Sequence, residues 1–137
     1  MQLANGLGLE IRDESRKLAG DRWLVCLRAL VAVPLSKAPS GEIFGETLDL
    51  VRREIGETVY FQQRVTRNFI SEKELPGLLE SLKKTFLENF LPYLSHPDFA
   101  ERFLKTKLLE IQEEGRYRQE YFQKILGSLK PPKENSI

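Results

Sequence analysis

The sequence predicts an α+β fold: a small, mainly antiparallel sheet of about three strands, in the order strand, strand, helix, strand, helix, helix, packed against two or three C-terminal helices. Three observations predict it. Residues Arg22 to Val33 are apolar on both faces of a two-residue period, as in a strand at the centre of a sheet or beneath a helix. Thr58 to Ile70 keeps the same period with one wet face. Ser71 to Leu91 and Pro97 to Leu126 carry apolar residues at steps of three and four, which is the spacing of amphipathic helices.

Along the chain, Leu7, Leu9 and Ile11 alternate with Gly8, Glu10 and Arg12, predicting a first strand. Asp13 to Asp21 is rich in charge and contains Gly20, so a turn or extended loop is expected. In the second strand, Trp23, Val25, Leu27, Ala29, Val31 and Val33 share one face. Leu24, Cys26, Leu30 and Ala32 share the other with Arg28, and Pro34 ends the run. Leu35 to Gly41 reads as a loop. Phe44, Leu48, Val51 and Ile55 then mark a short helix, which Gly56 is placed to terminate.

Thr58 to Ile70 is the third strand, with Val59, Phe61, Val65 and Phe69 inward and Tyr60, Gln62, Arg64, Thr66 and Asn68 outward. Gln63 and Arg67 interrupt its inward face, as a bulge or an edge would. An antiparallel arrangement of the three strands lets the long helices cover one face. Were the second and third strands parallel, the Glu42 to Ile55 helix would be their right-handed crossover.

Ser71 and Glu74 have the spacing of a capping box, Pro76 then falls inside the first helix, and Pro92 closes it at Leu91. Ser95 and Asp98 repeat the start signal. The last stripe runs through Leu104, Leu108, Ile111, Gly115, Arg118, Phe122, Ile125 and Leu129, so the helix is either one rod or two segments divided at Gly115. Residues 1–127 are expected to form one domain and 128–137 a flexible tail, beginning where Gly127 and the pair Pro131-Pro132 end regular structure.

Composition narrows the function classes. Lys and Arg total 21 against 20 Asp and Glu, without the basic excess usual in nucleic-acid-binding domains. One cysteine and one histidine cannot build a tetrahedral Cys/His site within one chain, so neither a metal site nor any other cofactor is expected. Nor does any glycine-rich loop open a helix to cradle phosphate. The chain lacks a secretory signal pattern, and its longest apolar run, Ala29 to Leu35, is too short for a membrane span, which makes a soluble, cytoplasmic protein the expectation.

Cys26 in its apolar strand reads as a small buried hydrophobe, and His96 as a helix-start residue. Arg28, set among apolar neighbours, needs a carboxylate partner or an escape route to water; a buried ion pair is the first account and a ligand anion the second. With Arg64 and Arg67 it forms a candidate ligand- or anion-binding set, in a pocket between sheet and helices. Tyr117, Tyr121 and Phe122 form a candidate interaction surface on the last helix. A non-enzymatic protein-interaction or scaffolding module, self-associating through its C-terminal helices, is the function these features favour. The alternatives are a small-ligand or anion-binding domain, an enzyme included, and weak nucleic-acid binding on the outer face of the third strand.

Overall fold

The computed structural model describes residues 1–39, 42–114 and 119–132. Its elements are β1 (Leu9–Asp13), β2 (Arg16–Ala19), β3 (Arg22–Pro34), α1 (Gly45–Glu54), β4 (Thr58–Ser71), α2 (Leu75–Ser95), α3 (Phe99–Glu114) and α4 (Gln119–Leu129). The fold is α+β, with antiparallel strands packed against helices. Two compact units divide the chain: one takes Met1–Val31 and Gln62–His96, the other Ala32–Phe61 and Pro97–Ile137. Both β3 and β4 pass from one unit into the other.

In the first unit β3 is the central strand, and its two-sided apolar pattern is matched by burial of Val25, Cys26, Leu27, Ala29, Leu30 and Val31. β1 and β2 pair with successive stretches of it in one register: Leu9 faces Val31, Asp13 faces Leu27, Arg16 faces Leu24 and Lys17 faces Trp23. They are therefore two halves of a single interrupted strand. At the interruption Glu14 N–H still donates to the Cys26 carbonyl (2.8 Å), but Cys26 N–H donates to Ser15 Oγ (3.0 Å) in place of a backbone carbonyl. β4 also pairs with β3, so the three-stranded expectation holds once the halves are joined.

β3 and β4 are antiparallel. Leu35 N–H donates to the Glu57 carbonyl at one end (2.8 Å), and Glu72 N–H to the Asp21 carbonyl at the other (2.9 Å). The Glu42 to Ile55 helix is thus no parallel crossover. It fills the connection between antiparallel strands, ending where Gly56 takes a φ of 124° and donates to the Val51 carbonyl.

The apolar face of this sheet is covered by α2. Val25, Leu27 and Leu82 form its core, with Ile11, Val65, Ile70, Leu75, Leu78 and Leu79 packed around them. Helix α2 departs from the sequence expectation at both ends. The Ser71 capping box does not form, because Ser71 is still the last residue of β4 and the cap position falls to Glu74, which makes no side-chain capping bond. Starting later also places Pro76 in the first turn, where a missing amide costs nothing.

At the other end the helix runs through Pro92 to Ser95. Pro92 and Glu88 lie on the exposed side, where the carbonyl that Pro92 cannot bond meets water. Leu94, fully buried, holds the last turn in place. Asn5 completes it: Nδ2 donates to the carbonyls of Leu94 (2.8 Å) and His96 (3.0 Å), while Oδ1 accepts from Leu7 N–H (3.1 Å). Asn5→Ala is expected to cost about 1 kcal/mol in urea unfolding and to speed amide exchange in the last turn of α2. A loss of under a few tenths would remove Asn5 as the terminator.

The second unit is built from α1, α3, α4 and the strand residues between Ala32 and Phe61. Its centre is aromatic. Phe61 meets Phe99 and Phe103 edge-on, at centroid distances of 5.6 and 5.8 Å, and those two rings stack at 5.9 Å. α3 contacts α1 and α4, and the expected stripe residues Leu104, Leu108, Ile111, Ile125 and Leu129 are buried. Gly127, Ser128 and Leu129 belong to α4, so the helix continues past the glycine expected to end it. Whether α3 and α4 are continuous through Gly115 falls on residues 115–118, outside the described ones.

Candidate interaction surface

β4 is fourteen residues long and, among the described residues, pairs with β3 alone. Its second edge therefore has no strand partner among the described residues. From Gln63 to Phe69 all residues but Val65 are exposed, in contrast to β3 beside them.

The strand is also irregular. Between the two hydrogen bonds that frame the pair, β3 takes fourteen steps from Asp21 to Leu35, whereas β4 takes fifteen from Glu57 to Glu72. One extra residue in β4 is a β-bulge, and past it the side chains exchange faces. Phe69 marks the place: it is the one non-glycine residue with positive φ among those described, at 56°. The expectation that Phe69 points inward is accordingly overturned. Phe69 is 72% exposed, and Ile70 takes the inward position against the α2-covered core.

A phenylalanine in the left-handed region costs about 1–2 kcal/mol relative to ordinary backbone, and exposing its ring adds nothing to the fold. Phe69→Asn, which keeps a side chain that tolerates this backbone, is expected to leave stability unchanged or raise it by up to about 1 kcal/mol in urea unfolding. A loss above about 1 kcal/mol would show that the ring supports the fold.

The three arginines singled out from sequence have different surroundings. Arg28 Nε pairs with Glu14 Oε1 at 2.8 Å, and its Nη1 donates to Gln62 Oε1 at 2.9 Å. Both charged side chains are largely enclosed, with 18% and 14% of their surface exposed. Arg12 lies directly across the sheet from Arg28 and bonds Glu10 Oε1 at 2.7 Å, so each of two facing cations has its own carboxylate. Arg64 and Arg67 are exposed on β4, and Arg67 Nη1 donates to the Thr66 carbonyl at 2.7 Å. Of the aromatic trio proposed on the last helix, Tyr117 lies outside the described residues; so do the side chains of Tyr121 and Phe122.

Cys26 is buried and His96 exposed. Among the described residues no group of three or more His, Cys, Asp or Glu side chains is placed to hold a metal ion, and no helix is long and apolar enough to cross a membrane. A cavity of about 10 Å³ opens between Ile11, Leu27, Val65 and Phe86 in the first unit. It has room for about one water, far below the ~300–1,000 Å³ of small-molecule sites.

No protein-family model, curated protein or solved structure matches this chain. Geometry alone speaks for its function. What β4 offers chemically is main-chain hydrogen bonding along an open edge, two guanidinium groups and one aromatic ring held in solvent. The sequence did hold a signal for Phe69: Val65 and Ile70 are both apolar but five residues apart, and an odd spacing cannot put both on one face of a regular strand.

Proposed function

We propose that the protein is a non-enzymatic protein-interaction module that binds an extended segment of its partner along the edge of β4. Phe69 carries this reading. A large aromatic residue in a disfavoured backbone conformation, at the bulge of an edge strand and open to water, contributes to binding more readily than to folding. Strand addition supplies affinity through main-chain hydrogen bonds, and an exposed ring beside the edge supplies an anchor for one partner side chain. Self-association through the apolar stripe of the C-terminal helices is disfavoured, because its described residues are already buried within one chain.

The test is selection from a random-peptide display library on the wild-type protein, with Phe69→Asn as the counter-target. Enrichment of extended, proline-free peptides that bind wild type and lose at least about tenfold in affinity on the variant is the expected result. Failure to enrich any peptide, or equal binding to the folded variant, would defeat the reading.

A further inference from the structure

We infer that the segment bound along β4 is acidic; this rests on the interaction reading above and adds the chemistry of the partner. Between Thr58 and Ser71 the strand has two arginines, Arg64 and Arg67, and no carboxylate. Lys83 of α2 lines the same small cavity as Gln63 and Val65, which adds a third cationic side chain on the helix-covered face of this part of the sheet. All three cations are exposed in the first unit. An added strand brings its own side chains directly across from those of β4, where opposite charges attract and like charges repel.

This composition also weighs against a second copy of the chain as the occupant. Two β4 strands paired together would assemble four arginines and no acid on one ribbon. The opposite side of the sheet is less suited to receive a strand: β1 and β2 are interrupted at Glu14–Ser15, shift register between Lys17 and Ala19, and mix Glu10, Asp13, Arg16 and Lys17. Because the three cations are exposed, their effect is selective and screened by salt, while the main-chain bonds are indifferent to partner sequence.

Three capped, fluorescein-labelled octapeptides test the inference, each alternating valine with glutamate, glutamine or lysine, titrated against the full chain by fluorescence anisotropy. The glutamate peptide is expected to bind about tenfold more tightly than the glutamine peptide at low salt, and the lysine peptide most weakly. The order should flatten as ionic strength rises. In the Arg64→Gln, Arg67→Gln double variant, the glutamate and glutamine affinities should fall within about threefold of one another, and backbone amide shifts on titration should centre on β4.

Equal binding of the glutamate and glutamine peptides to wild type would overturn the acidic preference while leaving strand addition intact. Absence of binding by all three would bring down the interaction reading itself. A wild-type dimer by sedimentation, with its contact mapped to β4, would identify the occupant as a second copy and overturn the inference.

Discussion

Phe99→Ala is expected to lower the unfolding free energy by about 3–5 kcal/mol, the usual cost of removing a buried phenyl ring. Phe99 is the first residue of α3 and only 1% exposed. It touches Phe61 edge-on and Phe103 face to face, so truncation removes one ring area and two ring contacts, each of the latter worth about 0.5–1.5 kcal/mol beyond burial. Stability in domains of this size is about 5–15 kcal/mol, so the variant loses a large fraction of it. Urea unfolding measures this: the midpoint should fall with little change in slope. Phe99→Leu should cost markedly less. A loss below about 1 kcal/mol for the alanine variant would mean that the aromatic cluster does not organise the second unit.

The second large effect concerns the ion pair on β3. Removing Glu14 alone, as Glu14→Leu, leaves the Arg28 guanidinium largely enclosed with Gln62 as its remaining described side-chain acceptor. About 2–3 kcal/mol should be lost, somewhat under the cost of breaking a fully enclosed pair because both groups retain some contact with water. The double variant Glu14→Leu, Arg28→Met should recover most of it, since two apolar side chains carry no desolvation penalty. A double-mutant cycle in urea gives the coupling. If the double variant were as unstable as the sum of the single ones, the pair would not be coupled and Arg28 would be held by something else.

That pair was legible in the sequence as a need, since an arginine between Leu27 and Ala29 needs either a compensating charge or a route to water. The identity of the partner was not. Glu14 lies in a stretch whose residues are mostly charged or exposed, and β2 within it, Arg16–Ala19, has all four side chains exposed and therefore no apolar alternation to read. β3, α1 and most of β4 were legible because burial imposes periods of two and of three to four on the apolar residues themselves.

The errors fell where distant residues overrule a local rule. Pro92 is a sound stop signal on its own, but burial of Leu94 and the two bonds from Asn5, some ninety residues away in sequence, carry α2 past it. Ser71 satisfies the capping pattern, yet pairing keeps it in the sheet. Phe69 followed the period until the bulge reversed it. The candidate site was legible only in part: Arg64 and Arg67 were named, but with Arg28 as an anion-binding set in a pocket between sheet and helices, and the ring beside them was assigned to the core.

The division of the chain has a consequence for how the protein is made. Because β3 changes unit between Val31 and Ala32 and β4 changes back between Phe61 and Gln62, each unit is assembled from two separated stretches. Neither can be expressed as one uninterrupted fragment, and limited proteolysis in the connection around α1 would sever a stretch of the second unit without releasing it intact. During synthesis the first unit must wait for residue 96 to leave the ribosome, by which time residues 32–61 have already emerged. Maturation therefore requires two interleaved long-range pairings, and the first can close only with residues 32–61 already looped out between its two stretches.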